Sequence, residues 1–136
     1  MVSGTQVNPK IDCQTYFQDV DRALCQVLFI KEQRYFKVDC IVATKWSGLM
    51  MGAYFSNKLN VPMFITSEIP SIPLKMKNCL LVDDKIWHGR QFRKYTRKLQ
   101  ESGKRVTTAC LYIEGIEKLD IYVEDIGSKV HLFYER

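Results

Sequence analysis

The sequence predicts an α/β fold with a doubly wound parallel sheet, and three observations lead to this prediction. Apolar runs of strand length alternate along the chain with segments of helical periodicity. The strand-like runs are apolar throughout, which is typical of parallel strands covered on both faces. The chain has 136 residues, of which 46% are hydrophobic, so one domain with a substantial core is expected.

The first predicted helix covers residues 16–30. Its apolar residues recur at helical spacing: Phe17, Val20, Ala23, Leu24, Val27 and Leu28. The next elements are bounded by glycine, proline or polar residues. Strands are predicted at 37–44, 61–66, 79–82 and 106–113, and helices at 49–59 and from after Gly89 to about Ser102. Gly103 suits a helix C-cap. The segment 66–78 contains Pro70 and Pro73 and is predicted to be a loop, and residues 121–134 contain two short strand-like pieces.

Several protein classes are excluded by composition. The longest stretch without a charged residue has 12 residues, whereas a membrane-spanning helix needs about 20 apolar residues. The first eight residues lack a signal pattern, so we expect a cytoplasmic protein. The five cysteines form no CxxC pair, which argues against a zinc ribbon or a redox motif. We expect Cys40, Cys79 and Cys110 to be small buried apolar residues.

The net charge of +5 is concentrated in residues 90–105. This segment has seven cations and one acid, Glu101; the cations are Arg90, Arg93, Lys94, Arg97, Lys98, Lys104 and Arg105. A basic helix of this kind suggests an anionic partner, which can be a phosphate, nucleic acid or a membrane surface, and the alternative is an ordinary solvated helix face.

Two strand-to-helix junctions carry candidate binding residues. Asp83 and Asp84 follow the apolar run 79–82, and adjacent carboxylates repel unless cations or hydroxyl groups satisfy them. Ribose hydroxyls, Mg²⁺ or nearby Lys and Arg side chains are suitable partners. The other junction, 45–48, follows the first strand, where backbone N–H groups and a helix dipole favour phosphate. Ligands of parallel sheets bind at the carboxyl ends of the strands, where both junctions are expected.

Residues 80–91, LLVDDKIWHGRQ, resemble the phosphoribosyl pyrophosphate motif of the type I phosphoribosyltransferases, an apolar run followed by D-D-x-x-D-T-G-x-T. Residues 38–49, VDCIVATKWSGL, are similar to that family's first strand and its R-G-G-L pyrophosphate loop. The tail, with IYVEDI at 121–126 and FYE at 133–135, resembles the short purine enzymes that act on xanthine, guanine or hypoxanthine. The similarity runs from about residue 17 to 136. It implies a single domain, 1–136, with a small C-terminal hood formed mainly by about 114–136.

The resemblance also implies roles for particular residues. The ribose-phosphate site would comprise Asp83, Asp84, Trp87, His88, Gly89, Arg90 and Gln91. The pyrophosphate loop would comprise Lys45, Trp46, Ser47 and Gly48. The nucleobase would lie against Glu114, Tyr134 and Glu135. Mg²⁺ would be bound through the ligand near the two aspartates rather than by protein groups directly.

The motif departs from the family pattern at the phosphate loop. Trp87 occupies the place of the third acid, His88 that of a phosphate-binding threonine, and Gln91 that of the last hydroxyl. Trp46 and Ser47 replace the R-G of the upstream loop. Glu114 falls near the place of a base-contacting lysine. The residues assign no catalytic acid or base, and Trp87 and His88 could either frame a changed phosphate site or block it.

Two functional hypotheses follow. The first is a phosphoribosyltransferase, a glycosyltransferase that joins phosphoribosyl pyrophosphate to a nucleobase, a purine being favoured, and releases pyrophosphate with Mg²⁺ as cofactor. The resemblance also implies a homo-oligomer. The alternative is a non-catalytic protein on the same scaffold that senses nucleotides, binds nucleic acid through the basic helix 90–105, or is otherwise regulatory.

Overall fold

The computed structural model describes residues 13–34, 37–86, 90–113 and 121–125. Three α-helices, one 3₁₀ helix and five strands occur in this part of the chain. They are α1 (Cys13–Arg34), β1 (Cys40–Ala43), α2 (Leu49–Leu59), β2 (Met63–Ile65), the 3₁₀ helix (Thr66–Ser71), β3 (Asn78–Ile86), α3 (Arg90–Glu101), β4 (Arg105–Ile113) and β5 (Ile121–Asp125).

The five strands form one parallel sheet in the order β2-β1-β3-β4-β5. β1 and β3 pair at its centre, with Cys40 opposite Cys79 and Ala43 opposite Val82. All residues of β1 are buried, as the unbroken apolar run predicted. The predicted α/β fold class with a parallel sheet is confirmed.

The sheet is covered on both faces. One core cluster contains the buried residues of α1 and α2 together with Ile41, Leu80 and Leu111 of the sheet. The other contains Phe92 and Leu99 of α3, the buried isoleucines of the 3₁₀ segment, and the alternate residues of the same strands. This alternation of strand side chains between two cores is the doubly wound arrangement that was predicted.

Helix α1 is longer than predicted and buries a narrower stripe. Val20, Ala23 and Val27 are fully buried and Leu24 nearly so, but Phe17 and Leu28 are 40% and 45% exposed. Phe17 and Leu28 share the helical spacing of these residues but lie at the margin of the buried stripe. A polar contact also fixes the helix, because the Tyr112 hydroxyl in β4 donates a 2.6 Å hydrogen bond to the buried Asp19 carboxylate. Arg22 lies 2.9 Å from the other oxygen of that carboxylate.

Strand β3 extends farther than the apolar run suggested. The sequence placed its end at Val82, but it continues to Ile86, so Asp83 and Asp84 lie within the strand. The reason is the length of β4, whose residues up to Ile113 provide ladder partners for this polar extension. Likewise the predicted loop 66–78 contains a 3₁₀ helix at its start, anchored by the buried Ile69, with Ile72 just after it.

Glycine is required where α2 begins. A Cβ atom on Gly48 would lie 2.6 Å from the Val82 carbonyl oxygen and 2.7 Å from the Thr44 hydroxyl. Val82 and the Thr44 backbone belong to the paired ends of β1 and β3, so they cannot move aside. The turn 44–48 therefore packs directly against the strand end.

A second glycine follows the carboxyl end of α3. Gly103 has φ = 82°, which confirms the predicted C-cap.

Lys104 differs from the other cations of the basic segment. The sequence grouped it with the basic helix, but its side chain is only 5% exposed. Its Nζ donates a 2.7 Å hydrogen bond to the Pro73 carbonyl oxygen. The Lys104 side chain therefore joins the start of β4 to the connection that precedes β3. Because it is buried, Lys104 stabilises the fold and adds no charge to an exposed basic surface.

The three cysteines predicted to be buried are fully buried free thiols. Cys40 and Cys79 face each other on β1 and β3, and the Cys40 thiol donates to the Cys79 sulfur at 3.6 Å. This hydrogen bond, together with burial, raises the pKa of Cys40. The cysteines therefore act as small core residues, as predicted.

Two further expectations concern the chain as a whole. No helix within the described residues has both the length and the apolar character needed to cross a bilayer. Of the range predicted to form a hood, about 114–136, the structure describes 121–125, which is strand β5 of the main sheet. The rest of that range lies outside the described residues, so the hood and the single-domain boundary stay predictions.

Asp39 joins the amino ends of β1 and β3. Its Oδ2 accepts hydrogen bonds from the backbone N–H groups of Lys77 at 2.9 Å and Asn78 at 2.8 Å, and from the Asn78 side-chain amide at 3.0 Å. The Asn78 backbone N–H is the largest cause of a lowered pKa for the Asp39 carboxyl, because it favours the charged form.

We expect Asp39→Asn to make folding less stable at neutral pH and to flatten its acid dependence. A lowered folded-state pKa stabilises the protein above the ordinary Asp pKa and loses that effect as pH falls through the folded value. Urea unfolding at several pH values below about 5 measures this. Glu101→Gln, on an exposed acid, is the control and should keep the wild-type pH profile. Identical profiles for all three proteins would contradict the assignment.

We expect Gly48→Ala to destabilise the fold by about 1–3 kcal/mol, because the added methyl group meets backbone atoms that cannot retreat. Ser47→Ala, one residue earlier on an exposed side chain, should cost less than about 1 kcal/mol. Urea unfolding followed by circular dichroism compares the two alanine variants. Equal losses would show that the close packing of the turn does not limit residue 48.

Candidate functional site

The candidate site lies at the carboxyl edge of the parallel sheet, where the turn 44–48 meets the end of β3. The register that pairs Ala43 with Val82 places Thr44 beside the strand residues that precede the two aspartates. The Thr44 backbone N–H donates a 3.1 Å hydrogen bond to the Val82 carbonyl oxygen. The two junctions predicted to bind ligand are therefore neighbours in space.

A side-chain hydrogen bond joins the junctions directly. The Ser47 hydroxyl donates to Asp83 Oδ1 at 2.7 Å. Asp83 and Asp84 are both partly exposed residues, but the Oδ1 atom of Asp84 is buried. The structure thus brings together Ser47 of the predicted pyrophosphate loop and Asp83 of the predicted ribose site.

The other residues of the pyrophosphate loop face solvent or the strands. Lys45 is exposed, and its Nζ lies 4.8 Å from the centroid of the Trp46 ring, a cation–π contact. Trp46 is 70% exposed, and the Lys45–Trp46 peptide bond is cis. The loop therefore presents a cation and an uncovered aromatic face beside the carboxylates.

Two helices begin near this edge with a positive electrostatic end. α2 starts at Leu49, its N-cap Gly48 has no side chain, and its first turn has no acidic residue. α3 starts four residues after the end of β3, and its first turn also lacks acids. Arg90 and Gln91, both exposed, open that turn. Helix N-termini of this kind favour anionic groups such as phosphate.

The structure adds Tyr16, which sequence reasoning missed, to this edge. Burial is the main cause that raises the pKa of the Tyr16 hydroxyl, and the negative charges of Asp84 and Asp83 raise it further. The Met51 backbone N–H, in the first turn of α2, acts on the pKa of the same hydroxyl in the opposite direction. The phenol therefore stays neutral and lies within electrostatic reach of both carboxylates. No local pattern identifies it, since Tyr16 lies about seventy residues earlier in the chain.

Two buried groups line the inner side of the edge. Cys110 pairs in register with Asp83, and burial raises the pKa of its thiol, with the two aspartates adding to the effect. Thr44 is 5% exposed, and its hydroxyl has no hydrogen-bond partner among the described residues. The thiol stays protonated, so it contributes shape and not charge to the site.

Protein groups alone do not form a metal cage in the described part of the chain. Within residues 13–34, 37–86, 90–113 and 121–125, no group of three or more His, Cys, Asp or Glu side chains could hold a metal ion. Asp83 and Asp84 are hard oxygen acceptors, which suit Mg²⁺ that arrives already bound to a phosphate ligand.

Part of the predicted site lies outside the described residues. This holds for Trp87, His88 and Gly89 of the phosphate loop, and for the predicted base-binding residues Glu114, Tyr134 and Glu135. The structure thus unites Lys45, Trp46, Ser47 and Gly48 with Asp83 and Asp84 and places Arg90 and Gln91 at the start of α3.

Comparisons with known proteins identify the architecture. The chain matches no family model and no curated protein. Among solved structures it is similar to a Helicobacter pylori xanthine-guanine-hypoxanthine phosphoribosyltransferase, with a TM-score of 0.75 at 20% identity over 91% of this chain and 90% of that one. A Pyrococcus horikoshii purine phosphoribosyltransferase gives 0.68 at 17% identity, covering 85% and 86%. A Neisseria gonorrhoeae protein with bound ppGpp gives 0.68 at 14%, covering 89% and 87%.

The similarity covers most of each chain, and it agrees with the parallel sheet and the helices on both of its faces. The chain therefore has the fold of the type I phosphoribosyltransferases.

Proposed function

We propose that the carboxyl edge binds phosphoribosyl pyrophosphate and transfers its phosphoribosyl group to a nucleobase, a purine being favoured, with release of pyrophosphate. The observation that carries this proposal is the Ser47–Asp83 hydrogen bond of 2.7 Å, which joins the turn after β1 to the carboxylate pair of β3. One ligand that contains both a diol and a pyrophosphate would contact both segments at once.

The carboxylates would bind the ribose. Asp83 and Asp84 accept hydrogen bonds, and the two vicinal hydroxyls of ribose are donors that match adjacent acceptors. Ser47 already donates to Asp83, which holds that carboxylate toward the turn. The neutral Tyr16 hydroxyl, within electrostatic reach of both acids, adds no charge that would compete with the ligand.

The phosphates would bind on either side of the ribose. Lys45, the compact turn at Gly48 and the N-terminus of α2 supply positive charge for pyrophosphate. Arg90 and Gln91 at the start of α3 would supply donors for the 5′-phosphate, and Trp87, His88 and Gly89, which precede them in the sequence, are proposed to complete this site. This arrangement matches the two ends of a phosphoribosyl pyrophosphate molecule.

Mg²⁺ would enter on the ligand, with Asp83 and Asp84 near it. When bound, the ion offsets the negative charge that develops on the leaving pyrophosphate. The protein groups near the edge then have a separate task, which is to orient the ribose and exclude water around its anomeric carbon.

The transfer itself exchanges one bond at the anomeric carbon. The bond between C1 and the pyrophosphate oxygen breaks, and pyrophosphate leaves with the electron pair. A nitrogen of the nucleobase forms the new bond to C1 and loses its proton to solvent or to the leaving group. No acid or base among the described residues is assigned to this proton, so the substrate is expected to be a base that needs little assistance.

The site of the nucleobase and the oligomeric state are expectations that follow from the resemblance to the family. Tyr134 would stack on the base, with Glu114 and Glu135 beside it. We also expect this protein to form a homo-oligomer and to be cytoplasmic.

A second function, nucleotide sensing without turnover, is favoured by one specific observation. The similar Neisseria gonorrhoeae protein was solved with bound ppGpp. A nucleotide with two diphosphate groups could bind at the same helix N-termini without a transfer step. The absence of an assigned proton acceptor among the described residues agrees with this alternative.

Calorimetric titration of phosphoribosyl pyrophosphate with Mg²⁺ tests the first proposal. We expect binding to the wild-type protein and binding about 10- to 100-fold weaker in Asp84→Asn, because a charged hydrogen-bond acceptor is lost. Glu101→Gln removes an exposed acid of α3 and should bind like wild type. No heat of binding at about millimolar ligand, well above the usual substrate range, would overturn the ligand assignment.

The same samples separate the two functions. Pyrophosphate release in the presence of hypoxanthine, guanine or xanthine supports transfer, and it should be lost in Asp84→Asn. Tight binding of ppGpp without pyrophosphate release from any base would instead support the sensing function. Uracil and orotate serve as pyrimidine controls for the preference for purines.

A further inference from the structure

Helix α3 presents a continuous basic face to solvent. Phe92 and Leu99 are buried against the sheet. At 3.6 residues per turn the cations occupy an arc of about 140° on the side opposite these two residues. We call this the basic surface; it comprises Arg90, Arg93, Lys94, Arg97 and Lys98, all exposed.

Four of the five cations of this surface have no ion-pair partner among the described residues. No ion pair among the described residues joins Arg90, Lys94, Arg97 or Lys98 to an acid. Lys94 lies 5.7 Å from the ring centroid of Tyr95, a contact that leaves its charge intact. Glu101, on the same side at the end of the helix, is the single acid of α3. An excess of positive charge on one face is therefore available to a partner.

The surface continues past the end of the helix. The Arg105 backbone N–H donates to the Lys77 carbonyl oxygen at 2.7 Å, so these two exposed residues adjoin each other at the amino edge of the sheet. Lys104, in contrast, is buried and bonded to Pro73. The positive charge thus extends from the start of α3 to the amino edge, while the rest of the chain is nearly neutral.

We propose that the basic surface binds the phosphate backbone of double-helical DNA. The cations from Arg90 to Lys98 span about 12 Å of helix at 1.5 Å per residue. Helix α3 is packed on the sheet through Phe92 and Leu99, so only its basic face can meet a partner. The B-form major groove is about 12 Å wide and leaves phosphates within reach of such a face on both sides, whereas the major groove of A-form RNA is deep and narrow.

Other polyanionic partners fit the surface less well. Single strands are usually bound by exposed aromatic side chains, but Phe92 is buried and Tyr95 is half-buried. A membrane surface requires an apolar helix face that can insert, and the apolar face of α3 is packed on the sheet. All side chains of the surface are long cations that can reach phosphates, so binding is expected to depend mainly on charge and shape.

Fluorescence anisotropy with a labelled DNA duplex of about 20 base pairs tests the proposal, because phosphate contacts make affinity depend steeply on salt. Five contacts predict that affinity falls about 500-fold between about 50 and 200 mM salt. Arg97→Gln/Lys98→Gln should bind tens of times more weakly at about 0.1 M salt and should reduce the slope of log affinity against log salt by about 1.8. These positions avoid Arg90, which the phosphoribosyl site is proposed to use.

The matched control is Arg22→Gln/Lys58→Gln, which removes the same charge from exposed residues of α1 and α2, on the face of the sheet opposite α3. It should keep nearly the wild-type slope. Circular dichroism melting confirms that each variant is folded. If the first double variant is unfolded, Arg97→Gln alone replaces it, with an expected slope change of about 0.9.

Four results would overturn the proposal. They are an equal loss in both double variants, no binding by the wild-type protein at low salt, tighter binding to single-stranded DNA or duplex RNA than to duplex DNA, and tighter binding to polyglutamate than to the duplex. The last result would show instead that the surface binds acidic proteins. None of these results depends on whether the carboxyl edge binds phosphoribosyl pyrophosphate.

Discussion

The parallel pairing of β1 with β3 is the constraint on which the rest of the structure depends. It places Ala43 opposite Val82, so the next residues of the two strands emerge side by side. A shift of one residue would turn every side chain to the opposite face and exchange the two cores. It would also separate Ser47 from Asp83, because their hydrogen bond requires the turn to lie beside the strand. Gly48 packs against the same end of β3. The backbone contact of Gly48 and the side-chain hydrogen bond of Ser47 therefore require the same register between β1 and β3.

The sequence was most informative where structure is set by neighbours in the chain. Helix 49–59 was predicted to the residue because Gly48 admits the turn before it and Asn60, with φ = 57°, ends it. The apolar runs identified the strands for the same reason. At the site, the resemblance to the motif located Ser47, Asp83 and their neighbours, although it could not show that the two junctions share a hydrogen bond.

Predictions failed where distant contacts decide. The end of β3 depends on the length of β4, which an apolar run cannot reveal. Lys104 was grouped with exposed cations, yet it is buried because the Pro73 carbonyl, 31 residues away, accepts its hydrogen bond. Tyr16 reaches the site because α1 packs near the carboxyl edge. In each case the deciding partner lies far away in the sequence, and periodicity carries no information about it.

The features of the carboxyl edge differ in how much they say about activity. The sheet register, the close turn and the helix starts belong to the backbone, and proteins only 14–20% identical to this chain have a similar backbone. A backbone of this kind therefore does not determine the reaction. The side chains that the ligand would contact carry more specific information, above all adjacent carboxylates that need hydroxyl donors or cations to offset their repulsion. Similarity of fold therefore cannot show that the carboxyl edge is a ribose-phosphate site. Weaker binding of phosphoribosyl pyrophosphate in Asp84→Asn would show it, because that substitution changes a side chain and leaves the backbone unchanged.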